Sequence, residues 1–226
     1  MPKRELSMKK LVVVATFTDP ILGTYSNNPD IHLEYIASKS ADKEKVQQEM
    51  ENLPADVLQD RAKTVFPRKD GVPIFYDYQV KGFLKAALST VVEFEPYQIS
   101  KTKKVSKYTH KRVASSQFFV YPREIPIVFP EGGEITECTR PLRAETPLGE
   151  RTALMTSEEC PEGSKIEFSI TVMTDELVPL VTRLIKYGEY KGLGQWRNAG
   201  KGRFKAEIVE IVDLGGSSKE DSKGDK

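Results

Sequence analysis

Cysteine, histidine and tryptophan are scarce here: two, two and one in 226 residues. Cys138 and Cys160 are too few for a disulfide framework or a four-cysteine zinc site. His32 and His110 leave little for a histidine-based metal centre. We therefore expect neither a metal nor a cofactor. No apolar run approaches the roughly 20 residues of a membrane-spanning helix. The run Leu11–Ala15 that follows the charged start Met1-Pro2-Lys3-Arg4-Glu5 is too short and too soon interrupted for a signal peptide. The expectation is a cytoplasmic protein with no membrane partner. Apolar residues at 38% suffice for one core, and charged residues at 30% imply a heavily charged surface.

The net charge of +1 conceals an uneven distribution. Residues 101–112 read KTKKVSKYTHKR, with six Lys or Arg and no acid, and 191–205 read KGLGQWRNAGKGRFK, with five and none. Outside these two windows the chain carries about −10, because 23 Lys or Arg remain against 33 Asp or Glu. Charge focused in this way suits a polyanion, whose phosphates are met mainly by Lys and Arg. Lys101, Lys103, Lys104, Lys107, Lys111 and Arg112, with Tyr108 among them, are the first set of candidate contacts; two solvated basic loops are the alternative.

The patterns along the chain give an order of elements. Residues 11–17 (LVVVATF) form a buried strand, and 19–30, with Pro20, Gly23 and Pro29, a loop. Residues 38–53 are polar and helix-prone, part of a surface element over about 38–60. Residues 78–92 form an amphipathic helix on Val80, Phe83, Leu84, Ala87, Leu88 and Val91, with Asp77 as its N-cap. Two short strands lie at 117–121 and 125–129. Residues 151–157 and 165–172 are expected to pair around the turn Pro161-Glu162-Gly163, the second alternating cleanly between Ile166, Phe168, Ile170 and Val172 and the polar residues between them. A second helix begins at Thr174, with Pro179 bending it, and ends near Lys186 and Gly188. Residues 204–212 form a last strand, and 215–226 a disordered tail. Setting aside the surface helix and a basic insertion over about 95–133, the order is βαββαβ. That is a single α+β domain over 1–214, ferredoxin-like (RRM-like), with a basic β-hairpin insertion.

The segment 192–204, GLGQWRNAGKGRF, is the most informative. Its four glycines permit positive φ and close approach of backbone or ligand, and successive amides in such turns form anion nests. It is not a phosphate-binding P-loop, since Gly202 rather than Ser or Thr follows Lys201. Nor is it a dinucleotide fingerprint, since Arg197 stands at the third glycine and a helix, not a strand, precedes it. Gly194, Trp196, Arg197, Gly200, Lys201, Gly202 and Arg203 are the second set of candidate contacts. Trp196 either stacks on a base or plugs the core; the glycines otherwise serve only to pack the last helix on the sheet.

Gly194-x5-Gly200-x-Gly202, between the last helix and last strand of such a domain and carrying Arg197, resembles the C-terminal glycine-rich loop of the RAMP superfamily. These are RNA-binding proteins of CRISPR effector complexes, which serve antiviral defense, and related guide-RNA-processing endoribonucleases. The resemblance covers the loop and the element order, residues 11–17 and 151–212. It implies ferredoxin-like units that grip single-stranded RNA by its backbone among other subunits of a ribonucleoprotein assembly; self-association is an alternative to those subunits, single-stranded DNA an alternative ligand, and a divergent phage or mobile-element relative an alternative setting.

Three readings stay open: a non-catalytic RNA-binding subunit, a metal-independent endoribonuclease, and a structural or assembly protein. For the nuclease the base would be His32, where some family nucleases keep their histidine, or His110 in the basic segment, with Tyr25, Tyr35 and Tyr108 nearby. Family subunits that cut target RNA use an aspartate after the first strand, the region of Asp19 and Asp30, though no local motif matches. The run RPLRAETPLGER, with Arg140, Arg143 and Arg151, reads as a second phosphate-contact loop or a salt-bridged turn with Glu145 and Glu150.

Overall fold

A computed structural model describes residues 7–26, 63–100, 103–146 and 149–215. The surface helix expected over 38–53, together with Asp30, His32, Tyr35, Lys101 and the tail from 216, lies outside the described residues.

Strand β1 (Lys9–Phe17) alternates as its sequence demands: Leu11, Val13, Ala15 and Phe17 are buried, and the residues between them half-buried. It runs antiparallel between β13 (Lys165–Val172) and β14 (Phe204–Asp213). The other edge of β13 is shared by two strands laid end to end. β9 (Phe118–Tyr121) faces Ser169–Val172, and β10 (Glu124–Val128) faces Lys165 and Ile166. β10 also pairs with β6 (Val72–Tyr76), which pairs with β5 (Arg68–Lys69). Helices α1 (Asp77–Phe94) and, numbering in chain order, α3 (Val178–Lys186) bury Val80, Phe83, Leu84, Leu180, Val181 and Leu184 in the same core as the β1 side chains. This is the ferredoxin-like βαββαβ arrangement.

Two helix starts differ from expectation. The N-cap of α1 is Tyr76, whose amide donates to Gln79 Oε1 at 2.8 Å. Asp77 sits one residue inside, where its carboxylate meets the positive end of the helix dipole and lies 3.5 Å from an Arg123 nitrogen. Thr174 precedes a short 3-10 turn, Asp175–Leu177, and α3 begins only at Val178. Pro179 therefore falls in its first turn, where a missing amide costs nothing, and gives no reason for a bend.

The strand pairing expected around Pro161-Glu162-Gly163 is not formed. β12 (Gly149–Cys160) pairs instead with β11 (Thr136–Thr146), from Thr136↔Glu159 to Thr146↔Gly149. Its base joins β2 (Ile21–Leu22) and β4 (Lys63–Val65), and β4 joins β3 (Tyr25–Ser26). The turn is a switch between two sheets: Gly163 N–H donates to Phe17 O, and Phe17 N–H to Ser164 O. The core strand expected at 151–157 is supplied by β9 and β10, which lie within the supposed insertion 95–133. Two pieces of that insertion stand outside the main sheet, the hairpin β7 (Tyr97–Ser100) and β8 (Lys103–Val105), and the helix α2 (His110–Gln117), and they add Ile99, Val105, Val113 and Ala114 to the core.

At the far side of the sheet, β14 borders β1 alone among the described residues. Its register shifts where Val12 faces Glu210 and Val13 faces Ile208, so Val209 forms a bulge, and Lys205, Glu207 and Glu210 are exposed.

Candidate nucleic-acid interface

The glycine loop has a neck and a tip. A last short helix, α4 (Gly188–Lys191), ends at Gly192 with φ +72°. Leu193 N–H then donates to Gly202 O at 2.8 Å, and Gly202 N–H to Pro20 O at 2.9 Å. The two arms approach so closely that a Cβ on Gly202 would stand 1.8 Å from the Leu193 carbonyl oxygen. A Cβ on Gly194 would meet Leu22 O at 2.9 Å. The neck glycines thus serve backbone packing, with Leu193 buried beneath them.

Beyond the neck, Trp196 takes φ +53°, a left-handed conformation unusual for a large side chain, and opens a 3-10 turn, Arg197–Ala199. Trp196 is 41% exposed, so it does not plug the core. Beneath its ring, 5.3 Å from the centroid, lies the guanidinium of Arg140. Arg140 is only 3% exposed; its Nη1 donates to Ser157 Oγ at 3.0 Å and its Nη2 to Gln195 Oε1 at 2.7 Å. It is therefore neither a surface phosphate contact nor part of a salt-bridged turn; it is the buried strut that fixes the loop tip to the β11–β12 hairpin.

The loop forms the ridge between two grooves. The first, about 520 Å³, runs between α1, α2 and the loop. Its cations are Lys81, Lys85 and Arg197, with Tyr78 and Gln79 on one wall and Ala114 and Ser115 of α2 on another. Lys81 donates to Ser115 O at 3.2 Å, and partial burial lowers its pKa from the usual lysine value. The second groove, about 540 Å³, lies between the loop tip and β12, and includes Thr64, Met155, Trp196 and Asn198. Gly194 and Arg197 line both.

The residues expected to make contacts are thus sorted. Arg197 is exposed at the tip. Arg203 is exposed and folds back toward Gly200, where an added Cβ would meet its Cζ at 3.3 Å. Lys201 is committed to Glu159 at 2.7 Å, with both side chains mostly covered. In the basic segment Lys104, Lys107, Lys111 and Arg112 are exposed, and Lys107 lies over the Tyr108 ring; Lys103 is in β8, paired with Ser100. To clasp one strand together, the β7–β8 hairpin and the glycine loop would have to flank one groove. They instead sit at opposite ends of α3: Tyr97 Oη donates to Glu176 O ahead of that helix, and the loop follows α4 beyond its other end. What reaches the groove from the basic segment is α2.

His110 is 8% exposed and its Nδ1–H donates to Lys107 O at 2.8 Å, which closes the first turn of α2. Asp19 is half-buried and accepts from Thr18 Oγ1 at 3.2 Å. Burial raises the Cys160 thiol well above its ordinary range, so it is inert at neutral pH. Lys81 and Lys85 escaped the sequence reading, which took α1 only for its apolar stripe. Their spacing of four residues on the opposite face was the available signal.

No family model and no curated protein matches this sequence. Among solved structures, the chain is similar to a chain of the cryo-EM structure of the Type III-B Cmr-beta bound to cognate target RNA, with a TM-score of 0.56 and 8% identity. The match takes in 92% of this chain and 61% of that one, so this chain spans about three fifths of its neighbour's length. The likeness is one of fold, the ferredoxin-type α+β arrangement described above.

Proposed function

We propose that this protein binds single-stranded RNA by its phosphate backbone, as a RAMP-like subunit of a cytoplasmic ribonucleoprotein assembly of CRISPR type. The observation that carries the reading is the first groove, where Lys81, Lys85 and Arg197, from a helix and a distant loop, ring a cleft with Tyr78 on its wall. A phosphate at Lys81 gains more than one at a fully solvated lysine, because the ammonium is already partly stripped of water and, among the described residues, its hydrogen-bond partner is a neutral carbonyl. Lys111 and Arg112 on α2 extend the positive surface alongside. The fold shared with a chain of an RNA-bound Cmr complex supports the same reading. The acidic remainder of the surface repels a second strand and suits contact with basic neighbouring subunits.

The test is anisotropy of labelled single-stranded RNA and DNA over a salt series. Binding should weaken steeply with salt, and replacing Lys81, Lys85 and Arg197 together by alanine should flatten the log–log slope by about 2, at ~0.7 per phosphate for a single strand. Absence of binding at low salt, or an unchanged slope in the triple variant, defeats the reading.

A further inference from the structure

We propose that the second groove is a pocket for one unstacked nucleobase, with Trp196 as its stacking face; this rests on the RNA-binding reading and adds base capture to phosphate contact. Four observations converge. The indole is presented by a backbone conformation that costs a large residue about 1–2 kcal/mol, which packing alone does not require at an exposed tip. The ring is held in place from beneath by Arg140, itself fixed by Ser157 and Gln195, so little freedom is lost when a second planar group arrives. Among the described residues, the buried Arg140 guanidinium has no carboxylate partner and its Nε has no hydrogen-bond partner, which favours a pocket short of negative charge. The opposite wall offers the half-buried Met155, a soft apolar surface suited to a flat ring.

Chemistry narrows the occupant. Among the described residues no acidic side chain lines this groove, and Arg197 is shared with the first groove across the ridge. A ligand that fits both has an aromatic face joined to a polyanionic backbone. A strand crossing the ridge would leave phosphates at Arg197 and swing one base over Trp196. A proline-rich peptide would also stack on tryptophan, but it brings no charge for Arg197 or Arg140.

Trp196 is the only tryptophan, so intrinsic fluorescence reports on this pocket alone. The full chain is titrated with an oligoadenylate of about ten nucleotides, an abasic ribose-phosphate of equal length, and a polyproline peptide. Oligoadenylate should quench the emission; the abasic strand should bind without quenching. Trp196→Ala should weaken oligoadenylate binding about 5- to 150-fold and leave the abasic strand unaffected, while Trp196→Phe should restore most of the loss. Equal affinity and salt slope for both strands with no quenching overturns the pocket and leaves the phosphate grip standing. Failure of both strands to bind overturns both. Quenching by polyproline but not by oligoadenylate reassigns the groove to protein and overturns the proposal. Should Trp196→Ala fail to fold, the wild-type quenching and the Trp196→Phe affinity decide.

Discussion

The neck and the tip of the glycine loop are adjacent in sequence and opposite in character. At the neck, Gly192, Leu193 and Gly202 are buried and so close that side chains have no room. At the tip, Trp196, Arg197 and Asn198 are exposed, and the one strained residue carries the largest side chain of the chain. Glycine at the neck answers a geometric demand of the fold. Tryptophan at the tip stands where the backbone would be easier for glycine, with one face on Arg140 and 41% of its surface exposed. The same short motif therefore holds two kinds of information, and substitutions should separate them.

The largest effect is expected from Gly202→Ala. Its Cβ collides with the Leu193 carbonyl and its φ is +72°, so the two arms must part. A loss of about 3 kcal/mol or more, roughly 10 °C in melting temperature for a domain of this size, should appear in thermal unfolding. Arg197→Ala, five residues away, should leave the melting temperature unchanged; a comparable drop would erase the distinction between neck and tip. Arg140→Ala comes next. It strands Gln195, leaves Ser157 with only its bond to Thr64, and removes the strut under Trp196, at a cost of about 1–3 kcal/mol. Tryptophan emission should shift to the red as the ring is released.

Lys201→Ala tests the line between structural and available cations. Because Lys201 is held by Glu159, its loss should cost up to about 1 kcal/mol of stability and weaken RNA binding less than Arg197→Ala does. The reverse order would show that the ion pair yields to a phosphate. The smallest effect concerns pH at the remote edge of the sheet. A hydrogen bond from Lys9 holds the Asp213 carboxyl below its ordinary value. Its contribution is therefore present above the unfolded-state value and lost as pH falls through the folded one. The difference in melting temperature between wild type and Asp213→Asn should shrink as pH is lowered into that acidic range, and RNA binding at neutral pH should be alike in both.

Legibility in the sequence followed burial. β1, β13, α1 and α3 were readable because each buries one face, which leaves a period of two or of about 3.6 in residues such as Ile166, Phe168 and Ile170 or Leu180, Val181 and Leu184. The β11–β12 hairpin was not, since its strands form a backbone ladder with mixed polar residues and a proline at 141, and an exposed Leu154 sits among them. The turn at 161–163 had the chemistry of a hairpin, and only the bonds to Phe17 reveal it as a crossing between sheets. α2 was hidden in a run chosen for its charge. At the site, loop glycines and Arg197 were visible as a motif. Lys81 and Lys85 left only their four-residue spacing as a signal, and the pairing of Arg140 with Trp196 left none, because it joins elements far apart in the chain.

The bulge at Val209 has a consequence for the molecule among its own kind. A long border strand with an open row of amides and carbonyls invites a second copy to zip alongside it, and the extra residue twists that row out of true while Lys205, Glu207 and Glu210 add charge along it. Twist and charge together oppose edge-to-edge pairing there, against the pull of Val209 and Ile211 exposed on the same strand.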